Sequence, residues 1–402
     1  MKRPTLSKTK IPYLDFVWNV TSGCSNAGWA CDNCYAKATH DKWHGVGQRG
    51  GKVPPRYNEP FSTIQLHEDL LQAPMRRQKR AIIGVCFMSD LFHPEVPDEF
   101  IDKVMAVIAL SPQHRFVILT KRPERMADYM HNLLHDEFRR GDAPDRITPA
   151  VNAVMALADK DWGACHSTSS NITTASKRTG AKEPGQYRLR EDGLVERWDC
   201  FYKEPKWVTL PAKFSKMLKE QGHVYDGEYG WHLKAFPFYN LMIGCTVWDQ
   251  RSLDNSILHL LRAPADWRFV SYEPALGPIN LTRTAFSDAL RMTENHPALD
   301  WVVMGCEKLA GNKPGRPMEN KWAGEVATQC KEAGVPFFLK QQVIHGRVRE
   351  PENGFDMTDA IEAPAWFDFT KVPLPQYLKQ PKSASQDDGL GPVFNTDEDV
   401  LF

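Results

Sequence analysis

Three cysteines, Cys24, Cys31 and Cys34, fall within eleven positions in the run VWNVTSGCSNAGWACDNCYAKATH. Crowded thiolates are donors for iron and for zinc, and a loop can wrap them around an inorganic core. In a four-iron cluster, three cysteines hold three irons and leave the fourth open for a small ligand. In a radical enzyme that ligand is the amino and carboxylate group of S-adenosylmethionine. The same thiolates with His40 or His44 form a Cys3His set of the kind that binds structural zinc. Redox-active thiols in Cys31-Asp-Asn-Cys34 are a third reading, although neither that nor simple burial accounts for the remaining cysteine.

The pattern around the cysteines puts them on a loop after a first strand, with a helix starting near Cys34. Further apolar runs rich in β-branched and aromatic residues predict strands over 13–18, 81–88, 115–120, 241–247, 267–272, 301–305 and 335–340. Helical spacing follows Pro97-Asp98 (Phe100, Ile101, Val104, Met105, Ile108) and Pro123 (Met126, Met130, Leu133). Two more helices are expected over about 249–262 and 319–333, the second ending at Gly334. Strands that alternate with helices and are apolar throughout imply a parallel sheet buried on both faces, in a barrel or a doubly wound arrangement.

From about 134 to 237 the rhythm breaks into polar, patchy sequence whose only helical patterns are Thr148 to Asp159 and Leu210 to Glu220. This reads as an insertion, mostly irregular or helical. The expected organisation is a first half over 1–133 with the cysteine loop, the insertion over 134–237, a second half over 238–375, and a polar, mobile tail over 376–402.

Composition bounds the rest. The chain has 402 residues, enough for one large α/β barrel or two ordinary domains. Fifty basic residues balance fifty acidic ones, so no overall field draws in a polyanion, and any nucleic-acid contact must be local. The longest apolar run, Val104 to Leu110, is far too short for a membrane span, and the start MKRPTLSKTK has no apolar signal core. Nine cysteines, three of them clustered, fit a metal site in a reducing cytoplasm better than a disulfide framework. Cys86, Cys245, Cys306 and Cys330 fall inside strand or helix patterns and read as small core residues; Cys165 and Cys200 lie in the insertion.

Polar residues that end an apolar strand face the ligand-binding end of a parallel α/β sheet. Lys121 and Arg122 oppose the dipole of the helix they precede, so they are candidates for a carboxylate or phosphate of substrate or cofactor, or else are solvated beside Glu124. Thr246 and Asp249 are candidates for cofactor ribose hydroxyls. Glu273, Glu307 and Lys340 are candidates for substrate amino, hydroxyl or acidic groups, or alternatively structural partners of loop amides.

Six blocks in order, WNVTSGCSNAGWACDNCYA, CFMSDLFHPEVPDEF, FVILTKRPERM, RFVSYEPALGPINL, WVVMGCEKLAGNKPGRPM and GVPFFLKQ, resemble a phage-associated family of radical S-adenosylmethionine proteins. That family is distantly similar to the spore photoproduct lyases. The likeness covers most of residues 11–350 outside the insertion. Six residues separate Cys24 from Cys31, as in that family, whereas the common radical pattern has three. The resemblance implies a partial or complete parallel (β/α) barrel, a [4Fe-4S] cluster on Cys24, Cys31 and Cys34, and S-adenosyl-L-methionine as co-substrate. It makes Ser89 and Asp90 candidates for the methionine amino group, although Asp90 also reads as a simple turn cap.

The activity implied is generation of a 5′-deoxyadenosyl radical and rearrangement of a glycyl-thymidine in phage DNA. The partners expected are DNA or a modified nucleotide and an electron donor such as flavodoxin or ferredoxin, with no membrane. A photoproduct-lyase-like repair enzyme and a zinc-stabilised nucleic-acid-binding protein are the alternatives. Arg76, Arg77, Lys79 and Arg80, and in the insertion Lys177, Arg178, Lys182, Arg188 and Arg190, are possible phosphate contacts or solvated surface. Trp162, Trp198, Tyr187 and Tyr202 are stacking candidates or core anchors.

Overall fold

The computed structural model describes residues 5–77, 79–111, 113–138, 150, 154, 187–189, 195–199, 206–209, 224–225, 231–232, 238, 240–284, 289–290 and 298–351. The first half contains β1 (Ser7–Lys8), β2 (Phe16–Trp18), β3 (Thr21–Ser22), α1 (Tyr35–Gln48), β4 (Gln65–Leu66), α2 (Ala73–Arg76), β5 (Ile82–Val85), α3 (Asp98–Ala109), β6 (Arg115–Thr120) and α4 (Pro123–Phe138). Short strands β7 (Tyr187–Leu189), β8 (Val195–Asp199), β9 (Lys206–Thr209), β10 (Val224–Tyr225) and β11 (Trp231–His232) follow. The second half contains β12 (Leu241–Val247), α5 (Gln250–Arg262), β13 (Trp267–Tyr272), β14 (Trp301–Gly305), α6 (Asn320–Ala333), β15 (Phe337–Ile344) and β16 (Arg347–Arg349).

The fold is α/β, built on a nine-stranded sheet of order β1-β2-β5-β6-β12-β13-β14-β15-β16. Each of the seven strands from β2 to β15 pairs parallel with its neighbours in that series, and β1 and β16 add antiparallel edges. Strand order follows chain order without reversal, so the sheet lacks the switch point that defines a doubly wound arrangement. The interval expected to be mostly irregular or helical includes, among its described residues, an antiparallel sheet, β7-β8-β9, and a β10-β11 pair. Alternation there was too short and too interrupted by charge to read as strand. The helical pattern at 148–159 lies largely, and that at 210–220 wholly, outside the described residues, as do Cys165, Cys200, Trp162, Tyr202 and the tail.

Period-two alternation sends successive side chains to opposite faces. Phe116 and Ile118 of β6 join the larger core, together with Phe100, Val104 and Ile108 of α3, Leu253 and Ile257 of α5 and Val326 of α6. Val117, Met242, Phe269, Trp301 and Val303 form a second cluster with Tyr13 and Phe338. The Tyr13 ring meets Trp301 edge-on at 5.0 Å between centroids. Burying such a side chain contributes roughly 1.5–3 kcal/mol, so this second face is a substantial part of the fold. Following the same alternation toward the carboxyl ends, it changes to Gly84, Gly244, Thr246, Ser271, Gly305 and Lys340. Bulky apolar residues therefore fill its amino half, and small or polar residues line its carboxyl half.

The connecting helices have readable boundaries. Asp249 caps α5 through a reciprocal pair of bonds with Ser252. Gly334 ends α6 in the left-handed conformation at φ 69°. Among the described residues, no helix is long and apolar enough to cross a membrane.

A methyl group added at Gly244 would lie 2.2 Å from the Phe269 ring, so the aromatic layer depends on a bare backbone there. Gly244→Ala is expected to cost about 1–3 kcal/mol through overpacking, seen as a lower denaturant midpoint with unchanged slope. An unchanged midpoint would mean that Phe269 repacks freely.

Candidate metal centre

The cysteine loop starts from a fixed point. Gly23 has φ 84°, and a Cβ there would sit 2.0 Å from the Thr63 carbonyl oxygen, so only glycine fits. The Cys24 N–H then donates to the Phe61 carbonyl at 2.8 Å. A single 3-10 turn, Trp29–Cys31, follows, and Cys34 is the N-terminal cap residue of α1. All three cysteines are free thiols and partly exposed.

The loop crosses the carboxyl edge of the sheet with three anchors along the way. Near its start, Arg122, just after β6, donates through Nη2 to the Ser25 carbonyl and hydroxyl oxygens at 3.0 Å each, and through Nη1 to Cys24 Sγ at 3.7 Å. In the middle, Gly28, at φ 150°, lies against Trp248, just after β12; a Cβ would meet that ring at 3.1 Å. At its end, Asn33 Nδ2 donates to Glu307 Oε2 at 2.9 Å, just after β14. The loop thus runs from the end of β6 past β12 to β14.

The first anchor is organised by Asp90. Its Oδ1 accepts from the Phe92 amide (3.0 Å) and the Thr120 hydroxyl (2.7 Å), and its Oδ2 accepts from the Lys121 amide (3.1 Å) and Arg122 Nη1 (2.8 Å). Four donors fill the acceptor capacity of a carboxylate. This explains why a cation precedes α4 against the helix dipole: Arg122 turns back onto a buried carboxylate. His93 completes the anchor. Its Nδ1 accepts from the Glu95 amide at 3.2 Å, so the ring proton is on Nε2, which donates to the Ser25 hydroxyl at 2.7 Å. Burial, reinforced by the Arg122 charge, pushes the His93 pKa down and keeps the ring neutral.

The far anchor is organised by Glu307, itself buried. It accepts from Asn33, from the Arg316 amide at 2.8 Å and from the Arg316 guanidinium, Nε lying 3.0 Å from Oε2 and Nη2 closing on Oε1. Arg316 also donates through Nη1 to the Trp29 carbonyl at 2.8 Å and stacks on the Trp29 ring, 4.9 Å from its centroid. Burial alone would raise the Glu307 pKa, but the Arg316 and Asn33 bonds outweigh it and hold it below the ordinary carboxylate range.

Burial pushes the Cys24 thiol up, while the Arg122 guanidinium pulls it down. Burial also pushes Cys245 and Cys330 up to about 12, and Cys306, with Glu273 beside it, up to about 11. These three, like Cys86, are buried, so among the described residues the clustered cysteines are the accessible thiols. The histidines of the zinc alternative face elsewhere. His40 Nε2 bonds the Arg56 carbonyl at 3.2 Å and His44 Nδ1 the Tyr57 carbonyl at 2.8 Å, packing α1 onto the 54–61 segment. Among the described residues, no group of three or more His, Cys, Asp or Glu side chains converges on one metal ion.

The other candidates separate into two groups. Lys340 Nζ bonds both Glu273 oxygens at 2.9 Å, and Gln341 Nε2 bonds Glu273 Oε1 at 2.9 Å; this half-buried set lies over Gly305 at the carboxyl end of the second face. Thr246 is on the same face and buried. Ser89 and Asp249 are instead engaged locally: the Ser89 hydroxyl donates to the Thr21 carbonyl at 3.0 Å, and Asp249 caps α5. Arg76, Arg77, Lys79 and Arg80 precede β5, at the opposite, amino end of the sheet, with the Arg77 guanidinium 4.3 Å from the Phe16 ring centroid. Among the insertion candidates, Arg188, Tyr187 and Trp198 are on β7 and β8; Lys177, Arg178, Lys182 and Arg190 lie outside the described residues. Sequence reasoning missed Ser25, Asn33, His93, Trp248 and Arg316, whose roles arise only from contacts across the sheet edge.

Fold and site define an α/β protein with a three-thiol loop strapped over the carboxyl edge of a largely parallel sheet. The chain belongs to the family described as "Protein of unknown function (DUF5131)", whose model matches residues 8–360. No curated protein and no solved structure matches it.

Two outcomes follow from the anchors. Asp90→Asn removes the partner of a guanidinium in a pair that is only 13% and 7% exposed, and is expected to cost roughly 3 kcal/mol in thermal or denaturant unfolding, the magnitude for breaking a buried pair. A loss below about 1 kcal/mol would mean that water or another group replaces the carboxylate. Glu307 has a folded pKa below its unfolded value, so its contribution is complete above the unfolded carboxylate value of about 4.3 and is lost as pH falls through the folded value. Stability measured from neutral pH down to acid should therefore decline less steeply in Glu307→Gln than in the parent chain.

Proposed function

We propose that the chain is a radical S-adenosylmethionine enzyme holding a [4Fe-4S] cluster on Cys24, Cys31 and Cys34. The observation that carries this reading is the strap itself: three free thiols on one loop, over the carboxyl edge of a parallel sheet, with His40 and His44 engaged elsewhere. The strand order and the polar carboxyl half of the second face fit the wall of a partial (β/α) barrel open toward that loop. When bound, the cluster and S-adenosylmethionine supply a 5′-deoxyadenosyl radical that takes hydrogen from an unactivated carbon.

The protein's part is positioning and exclusion of water. Arg122, fixed by Asp90, holds the Ser25 end of the loop and keeps its guanidinium beside Cys24. Lys340, Glu273 and Gln341 offer both signs of charge and an amide on the inner face, suited to a substrate bearing amino and acidic groups. Thr246 supplies a hydroxyl nearby on that face. The six-block resemblance makes glycyl-thymidine in phage DNA the proposed substrate and isomerisation the proposed reaction, in a reducing cytoplasm with a flavodoxin or ferredoxin as donor. An extruded base would then enter from the carboxyl edge.

Anaerobic reconstitution with iron and sulfide should give a brown protein that forms 5′-deoxyadenosine from S-adenosylmethionine after reduction. Cys31→Ala should lose that activity while unfolding at a similar temperature. A colourless protein with one zinc per chain would reject the proposal. Incubation with DNA containing glycyl-thymidine, followed by nucleoside mass analysis, tests the substrate; an unshifted nucleoside pool would remove the isomerase reading alone.

A further inference from the structure

Arg316 joins Trp29, Asp32 and Glu307 at the far anchor. Its Nη1 reaches the Trp29 carbonyl at 2.8 Å, its Nε and Nη2 engage both oxygens of buried Glu307, and its charge faces Asp32, with Nη1 3.7 Å from Oδ2. Glu307 in turn takes Asn33 at 2.9 Å. The residues held, Trp29, Asp32 and Asn33, flank Cys31 and directly precede Cys34. Gly315 permits the approach, because a Cβ there would lie 2.3 Å from Glu307 Oε2. Arg316 arrives from outside the cysteine loop, on the connection between β14 and α6, so it ties two segments remote in sequence.

We propose that Arg316 is a positioning residue: it fastens the Cys31–Cys34 end of the loop to the end of β14 and sets its separation from Cys24 before any metal is bound. The inference rests on the reading of the three cysteines as cluster ligands, and it deepens that reading by assigning the spacing to a guanidinium rather than to the metal. Loops that carry metal ligands commonly order only on binding. Here the Cys24 end is held by the Arg122–Asp90 pair, with side chains 13% and 7% exposed, and the other end by Arg316–Glu307, at 24% and 5%. Lysine cannot substitute, since a single ammonium lacks the planar fork that meets a carboxylate and a carbonyl together.

The test uses the full chain, first without metal. Hydrogen exchange in Arg316→Gln should accelerate at the 26–34 amides by about tenfold or more, with the amides of β6, β12 and β13 unchanged. After anaerobic reconstitution, iron retained per chain should fall by about twofold or more in Arg316→Gln and in Arg316→Lys alike. Wild-type exchange in the 26–34 segment of Arg316→Gln, or iron retention restored by Arg316→Lys, would overturn the proposal. If Arg316→Gln loses protection across the whole sheet, exchange is measured in Arg316→Lys instead, which keeps the charge but not the planar fork; wild-type exchange in the 26–34 segment there has the same overturning force. A wild-type chain that takes up no iron would reject the cluster reading, while loop exchange in metal-free protein still decides the latch.

Discussion

A parallel sheet has a direction, and that direction governs everything at this site. Seven strands paired in parallel, in chain order, bring every strand-to-helix connection to the same edge. Asp90, Arg122, Trp248, Glu273, Glu307 and Lys340 are scattered over 250 positions, and parallel register alone makes them neighbours along one rim. Burial on both faces then makes the register rigid, because slipping one strand would move an aromatic of the second cluster into the helical core. The rim is therefore a stable mounting for a loop with little regular structure of its own.

That loop carries three thiols, and thiolates repel one another unless positive charge lies close. Arg122 and Arg316 bring guanidiniums to the loop's two ends, each paired with a buried carboxylate, so what they add there is chiefly geometry rather than net charge. Desolvating such pairs is costly, and an apolar replacement often does as well for stability alone. Geometry accounts better for what these pairs do here: a guanidinium has five donors in a fixed plane, enough to hold a carboxylate and still grip a loop carbonyl. Arg122 and Arg316 both do so, at Ser25 and at Trp29.

Much of the scaffold is legible in the sequence because the central strands are continuous apolar runs. The expected bounds of β6, β12, β13 and β14 coincide with those observed, and α5 and α6 differ by a single residue at the start. At the first strand the apolar run begins early: Tyr13 and Leu14 pack into the second cluster as coil, so the strand proper starts only at Phe16. Likewise β5 stops at Val85, because Cys86 turns the chain at φ 56°, which composition does not disclose. The carboxylates at strand ends pose a harder problem. Asp90 and Glu307 end apolar runs just as Glu273 does, yet two of them hold loop-gripping arginines and the third is paired with a lysine on the inner face. Sequence identifies the acceptors; only folding identifies the donors.

The spacing of the first two cysteines has a mechanical reason within this frame. From β6 to β14 the rim covers three strand intervals, at most about 14 Å at ordinary strand separation. The anchored stretch runs from Ser25 to Asn33, and with a three-residue gap between the cysteines it would have five steps, about 17 Å fully extended, leaving little slack for turns. The eight steps present reach about 27 Å, which leaves room for the Gly28 turn against Trp248 and the 3-10 turn that follows it. The longer gap thus matches a loop anchored at both ends of a wide rim, with Gly28 at φ 150° close against an aromatic ring at mid-span. Shortening the gap by three would leave too little chain for both turns, so the loop would give up its seat against Trp248 or one of its two end anchors.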